Sequence, residues 1–551
     1  MIWKIFNKKR TLFSVLLLAI AFYFLFFHNI WSYPLMDIDE TRYVLMSRDM
    51  LHSKDFLTLY LNGEYFFEKP PLYFWIECIS FKLFGFVNEF SARFPASLCG
   101  VLLSFLVYFT GKKVVSPKYA LVSSLVLATS LEFVILSKYA ILDIFLCAFI
   151  AFSVFSYFLT LFVQDKNKKY FWWMFYAFSA LAVMAKGIPG FVIPFGVVFF
   201  VSLYTRTFKQ IFRPVYILPG IILFLLITLP WHIAMIEKHQ TFFHEYVIKH
   251  HLQRFVNSKD LGRKQPFWFF FVTLLWGMVP WIASMLAVAV EKLRGIKFEV
   301  PRDNKKLFLH INIIAALFTF LFFSSSSTKL VTYILPIYPF LACITGYVWT
   351  EYVFENKYQK VIDISVYVFS GVCVLCAIAA IFMKYYLPEG IYADISTIQW
   401  FSILSILVTQ IPAIVFLLKK NRFGVFLSYV VFIILLSAFG TPKFYNLDYK
   451  FGQNDLMEYT KYAKANKQKL YALNTGRRFS LNYYGDSKNV FYVINEDYFD
   501  LVKNLKTGGD SLFVVRKKEY KKHEKAFSDF KILKQGAKYL LLKKYTKKDI
   551  D

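Results

Sequence analysis

The chain has 551 residues, of which 57% are hydrophobic, 21% aromatic and only 18% charged, with a formal net charge of +28. Apolar runs of about 20 residues recur along it, each long enough to cross the roughly 30 Å hydrocarbon core of a bilayer. An ordinary soluble enzyme is thereby excluded, and an α-helical polytopic membrane protein is expected. The six cysteines lie in or beside apolar segments, which argues against a disulfide framework; the CxxC of Cys373 and Cys376 falls inside an apolar run, where a redox role is not expected.

In chain order, the first apolar stretch, residues 11–31, is too long for a signal-peptide core and is followed by no small-x-small cleavage site. It is read as the first span. Twelve more follow at about 91–110, 119–137, 140–163, 170–186, 188–204, 214–236, 267–290, 307–323, 331–350, 361–384, 398–418 and 423–441. If all thirteen alternate, the basic loops fall on one side: Lys4 to Arg10, Lys112 to Lys118, "QDKNKK" at 164–169, Arg206 to Arg213, "EKLRGIKFEVPRDNKK", Lys357 with Lys360, and "KKNR" at 419–422. The positive-inside rule makes that side the cytoplasm. The N-terminus is therefore expected inside, and the loops at about 32–90 and 237–266 outside with the tail.

The domain division expected is a membrane domain over 1–442 and an outer domain over 443–551. The tail has 24 Lys and Arg against 13 Asp and Glu, and its short apolar runs "KLYAL", "NVFYVI", "SLFVV" and "KYLLL" alternate with helix-like stretches at 496–506 and 519–528. That pattern suggests a small α/β domain. Its basicity fits an anionic lipid surface, or equally a solubilising charge. Most of the remaining positive charge is a topological signal, so no nucleic-acid partner is invoked. No Gly-rich nucleotide loop and no HExxH are found, so no nucleotide cofactor is expected.

The informative charges sit on the outer side. In "DIDETRYVLMSRDM", Asp37 to Met50, a helix from Asp39 would set Asp39, Arg42, Tyr43 and Met46 on one face. Glu40 points to another face and is expected to tolerate Gln better than Asp39 tolerates Asn. A bare i,i+3 ion pair is the plain alternative, worth a few tenths of a kcal/mol when exposed. In "YFFEKPPLYFW", 65–75, two prolines stop any helix at Lys69 and hold an acid beside a base. Lys69 could bind a phosphate while Glu68 holds a metal or a sugar amine. Asp143 opens a span, where an acid is costly and often functional, a helix cap being the alternative. Lys186 interrupts a span in "AKGIPG", with snorkelling as its alternative. Lys329 and Tyr333 read first as interfacial anchors.

"DETRY…SRDM" followed by "YFFEKPPLYFW", "LFG" and "SAR" resembles the first outer loop of the aminoarabinose transferases of lipid A, within the GT-C membrane glycosyltransferases that include protein mannosyltransferases. The likeness continues through "YAILD", "MAKGIPG", "KHHLQRF", "GRKQPFW" and "SSSSTKLVTYILPIYP", in order over most of the first 350 residues. Later spans and the tail match only in kind.

The resemblance implies a GT-C fold and inverting transfer of an amino sugar, aminoarabinose or one such as galactosamine. The donor would be an undecaprenyl-phosphate sugar and the acceptor a lipid A phosphate. Asp39 matches the catalytic aspartate, with Asp143 and Glu40 as further acids. Lys69, Arg254, Arg42 and Lys186 are the cations expected at the donor phosphate, and Tyr43, Tyr65, Lys329 and Tyr333 are expected to line the sugar or lipid. His251 matches the metal-binding position, so Glu68 and His251 could hold a divalent ion such as zinc. A monomer in the bacterial inner membrane, with a periplasmic tail, is expected. A protein or other envelope-glycan glycosyltransferase is the alternative. A lipid-linked sugar transporter fits less well, because the charges gather on one outer face and no inverted repeat is visible.

Overall fold

Helix forms most of each of the thirteen apolar stretches where they are described. The computed structural model describes residues 18–253, 264–293, 300–386, 389–440, 443–444, 452–476, 478–485, 489–493 and 511–545. Among these, eight helices are long and apolar enough to cross a bilayer, or ten if two sharply bent pairs are each one span. The other three expected spans are α1 (Leu18–Phe27), Asp165–Lys186 with its charged first turn, and the 16-residue Pro189–Tyr204. Length and apolarity thus secure eight to ten spans, against the thirteen expected.

Outside the bundle, α2 (Asp39–Ser53) ends at Lys54 in the left-handed region. A two-stranded hairpin follows, β1 (Tyr60–Leu61) and β2 (Glu64–Tyr65), turned by Asn62 and Gly63, both at positive φ as a two-residue hairpin turn requires. Pro70 and Pro71 then lead into α3 (Leu72–Phe84). The next helix, α4 (Glu89–Val114), opens with a reciprocal Asn88–Ser91 capping box and is a span.

The bent pairs are α5 (Pro117–Ala128) with α6 (Leu131–Ser137), at 67°, and Phe269–Gly277 with Ile282–Glu291, at 118°. A break inside a membrane frees backbone groups that only protein can satisfy. Here the two breaks serve each other: Leu131 N donates to Val279 O at 3.2 Å, and Trp281 Nε1 donates to Thr129 Oγ1 at 3.2 Å. The span α7 (Asp143–Thr160) is the most deeply buried and packs on α8 (Asp165–Lys186), whereas Pro214–Lys238 and Gln359–Tyr386 keep most of their apolar surface outward, as lipid-facing helices do.

The tail folds into a five-stranded mixed sheet of order β4-β3-β5-β7-β6. β3 (Lys469–Leu473) pairs in parallel with β4 (Val490–Val493) and β5 (Ser511–Arg516); β7 (Tyr539–Lys544) is antiparallel to both β5 and β6 (Phe530–Gln535). Leu456, Tyr459 and Ala463 of the helix Gln453–Ala465 cover one face, against Leu470, Leu512 and Leu541. Phe527 and Phe530 close the other over Phe513, Val515 and Leu542. Four strands coincide with the four apolar runs of the tail. Of the two helix-like stretches, 519–528 meets the helix Lys517–Lys522 and a 3-10 turn, and 496–506 lies outside the described residues.

Polar contacts seat this domain on the first loop. Asp37 accepts from Ser480 N at 2.9 Å and Ser480 Oγ at 2.6 Å. Leu35 N donates to Tyr484 Oη at 2.8 Å, and Gln453 Nε2 donates to Leu35 O at 2.8 Å. Tyr484 Oη in turn donates to Glu89 Oε1 at 2.7 Å.

Candidate active site

The charged cluster is built around one phenol. Tyr43 projects from α2 into the seam with α3 and α7, its ring 5.7 Å from Tyr73 and 5.9 Å from Phe74. Burial pushes its pKa up, and the charges it feels are Arg42, Asp39, Asp143 and Glu68. Four acids and bases distant in sequence therefore share one neighbourhood. The helical spacing accounts for the first part: Asp39 Oδ1 takes a 2.7 Å ion pair from Arg42 Nη2, which also donates to Tyr43 Oη at 3.1 Å. Asp39 remains 46% exposed and its partner 19%, so the acid is reachable while the cation is largely enclosed. Arg42 lies over the rings of Tyr43 and Phe66, and its Nε is buried with no acceptor among the described residues.

A second pair comes from two spans. Asp143, at the first turn of α7, meets Lys186 Nζ, at the last turn of α8, at 2.5 Å, with both side chains 10% exposed. Gly187 ends α8 at φ 84°, which lets the chain turn directly beyond the lysine. Lys186 also sits 4.2 Å from the Tyr333 ring, so an aromatic face completes this side. Lys69 stands beside Glu68 on the proline-stopped loop and donates to the Glu68 carbonyl at 3.1 Å.

Known proteins resemble the chain in sequence and in fold. The family described as dolichyl-phosphate-mannose-protein mannosyltransferase matches residues 11–244. The chain is 26% identical over 399 residues to undecaprenyl phosphate-alpha-4-amino-4-deoxy-L-arabinose arabinosyl transferase 2 of Proteus mirabilis, covering 72% of this chain and 69% of that one. It is 30% identical over 365 residues to the corresponding transferase of Enterobacter sp., covering 65% and 64%. The crystal structure of ArnT from Cupriavidus metallidurans bound to undecaprenyl phosphate superposes with a TM-score of 0.76 at 19% identity, over 98% of this chain and 99% of that one. The chain is a membrane glycosyltransferase similar to the aminoarabinose transferases, with which it shares a fold.

Eight of the expected site residues of this transferase thus gather: Asp39, Arg42, Tyr43, Glu68, Lys69, Asp143, Lys186 and Tyr333. Glu40 does not join them, and its assignment as a catalytic acid is corrected. It is fully buried; Oε1 accepts from Arg93 Nε at 2.7 Å and Ala140 N at 2.8 Å, and Oε2 from Arg93 Nη2 at 2.6 Å and Met36 N at 2.9 Å. With four donors on two oxygens, it has no capacity left for substrate. Arg93, also fully buried, spends its remaining N–H groups on the carbonyls of Ile30, Tyr33 and Pro34. This pair fixes the chain that follows α1 to the start of α2 and to the chain just before Asp143. Arg93 stands in the "SAR" of the sequence, and a lone Arg early in an apolar helix was its only signal.

Tyr65 lies on the exposed hairpin, its ring 4.6 Å from that of His239 and stacked on Phe67 at 5.5 Å. Lys329 is buried and donates to Gln265 O at 3.0 Å and Ser326 O at 2.5 Å, tying two loops together; burial pulls its pKa down. Arg254 and the His251 side chain lie outside the described residues. Among the described residues no three His, Cys, Asp or Glu converge on a metal position.

Proposed function

We propose that this glycosyltransferase moves an amino sugar, aminoarabinose or a close relative such as galactosamine, from undecaprenyl phosphate to a phosphate of lipid A. The reaction would run as a monomer on the outer face of the bacterial inner membrane. The observation that carries this reading is the pairing of two acids with two cations around Tyr43. Relatives named for the undecaprenyl-phosphate aminoarabinose reaction support it.

Before the donor arrives, Arg42 and Lys186 are neutralised by Asp39 and Asp143. The donor phosphate takes over these cations, with Lys69 and Arg254 adding charge-assisted contacts. Asp39, released and accessible, then faces the sugar. The lipid A phosphate oxygen is already anionic and needs no strong base. It forms the new bond to the anomeric carbon as the bond to the undecaprenyl phosphate oxygen breaks on the opposite side. The electron pair leaves on that phosphate, among the cations, while Asp39 offsets the positive charge developing at the anomeric carbon. Glu68 is assigned the sugar's ammonium. With His251 it is also the proposed place for a divalent ion such as zinc, but the described residues supply one carboxylate there, and no step runs through a metal.

Mass spectrometry of lipid A from cells with and without the gene tests this directly. A gene-dependent pentosamine or hexosamine on a lipid A phosphate is expected. Unchanged lipid A beside a gene-dependent loss of protein glycosylation would move the acceptor to a hydroxyl, the alternative that the mannosyltransferase description of residues 11–244 favours. Asp39 would then have a proton to remove.

A further inference from the structure

The outer domain has a charge arrangement that transfer at Asp39 does not use. In open sheets with parallel strands, ligands bind beyond the carboxyl ends of the strands, where the strand order reverses. In the order β4-β3-β5, the chain leaves β3 for β4 on one side and returns to β5 on the other, so the reversal lies between β3 and β5. Two guanidiniums meet there. Arg516, the last residue of β5, donates from Nη2 to Thr475 O at 2.8 Å, and Arg478 donates from Nε to the same carbonyl at 3.3 Å.

Lys538 adjoins them. Its carbonyl accepts from Lys517 N at 3.0 Å, and the next residue, Tyr539, is the β-ladder partner of Arg516. Burial and then Arg478 and Arg516 pull the Lys538 pKa down. Neither arginine forms an ion pair among the described residues, and Arg516 Nε is buried without an acceptor. The nearby acids are otherwise engaged: Asp37, whose carboxyl feels the Arg478 charge, accepts from Thr41 Oγ1 and from Ser480 N and Oγ. Asp455 accepts the backbone N–H groups of Ala537, Lys538 and Tyr539 at 2.8–3.0 Å, and Glu519 takes a 3.4 Å hydrogen bond from Asn474 Nδ2. Among the described residues, a Cβ on Gly476, at φ 71°, would have only Arg516 Nη2 as near as 4.0 Å.

We propose that the carboxyl ends of β3 and β5 form an anion site for a phosphate monoester, held by Arg478, Arg516 and Lys538. The two guanidiniums at one carbonyl repel each other, and a phosphate dianion offers them charge-assisted acceptors, bidentate for Arg. The site is separate from the donor phosphate cations and independent of the transfer reading. It is also close to the seam: two residues after Arg478, Ser480 holds Asp37, which precedes Asp39 by two residues. An occupied site would therefore stiffen the segment that carries the catalytic acid.

The test uses the full chain in nanodiscs of phosphatidylcholine, with inorganic phosphate as one probe and vesicles containing phosphatidic acid as the other. Wild type should bind inorganic phosphate saturably, and R478Q/K538Q should weaken it by at least about tenfold. R516K, which keeps the charge and can still donate to Thr475, should lose less than R516Q. Parallel loss of phosphatidic-acid binding would assign the site to a lipid-borne phosphate; loss for inorganic phosphate alone would assign it to a soluble one. Equal phosphate affinity in wild type and R478Q/K538Q, with unchanged thermal melting, would overturn the proposal.

Discussion

In the proposed mechanism the chemistry turns on Asp39. It is the exposed member of the Asp39–Arg42 pair, and Asn in its place keeps the size and one acceptor oxygen but removes the charge. Transfer should fall by about 10²–10³, the scale on which a preorganised electrostatic group acts, while donor binding persists. Turnover and donor affinity are to be measured from about pH 5 to 8 with protein amount normalised, a range in which a phosphate nucleophile is already deprotonated and needs no general base. Wild-type turnover in D39N would remove Asp39 from the mechanism.

Its neighbour behaves differently. The helical period places Glu40 on another face, and from spacing alone that face looks tolerant. The structure shows it to be the most tightly held carboxylate of the loop, bound to Arg93 and two backbone N–H groups. E40Q leaves the Arg93 charge buried without its counter-ion, a loss of roughly 3–5 kcal/mol. The expected outcome is reduced folded yield and a lower melting temperature in detergent, not a selective loss of turnover; normal yield with lost turnover would return Glu40 to the reacting face. Periodicity could reveal the Asp39, Arg42, Tyr43 face because a helix is a local object. It could not reveal the Asp143–Lys186 or Glu40–Arg93 pairs, which form only when separate helices pack.

At the scale of elements, apolar runs found the helices, and four runs in the tail found four strands. β6, "FKILKQ", escaped because it is an edge strand with Lys531 and Lys534 among its apolar residues, so neither a clean alternation nor a continuous run marks it. The breaks at Thr129–Ser130 and around Pro280 also escaped, since hydropathy averages over a bend. The packing of α2 on α3 carries a pH signature. Glu77 of α3 is fully buried and accepts from Ser47 Oγ at 2.6 Å and Tyr73 Oη at 2.7 Å. Burial, outweighing these hydrogen bonds, pushes its carboxyl from 4.5 up to about 8. The folded state therefore keeps this proton where the unfolded chain has lost it. Stability falls as pH rises from about 4.5 to about 8 and is level beyond. E77Q, which cannot ionise, should flatten that slope and melt higher than wild type above about pH 8. An unchanged slope in thermal melts across this range would place the pH dependence in another group.

For the whole molecule, contacts constrain topology in a way that hydropathy does not. The tail domain hydrogen-bonds to Asp37, Leu35 and Glu89, all in the segment between the first and second expected spans. That segment and the tail domain must therefore lie on the same side of the membrane. The chain between them crosses an even number of times, whether the count there is the eight clear helices, ten with both bent pairs, or twelve with Asp165–Lys186 and Pro189–Tyr204 added. If α1 spans, the total is odd and the two termini lie on opposite faces. The one-sided Lys and Arg loops then set which face is which. A C-terminal alkaline phosphatase fusion should be active and a C-terminal green fluorescent protein fusion dark, with an N-terminal fusion giving the reverse pattern. A dark phosphatase with a bright fluorescent fusion at the C-terminus would invert the orientation and place the Asp39 cluster in the cytoplasm. Equal behaviour of both termini would remove α1 from the set of spans while leaving the seam, and the parity it enforces, intact.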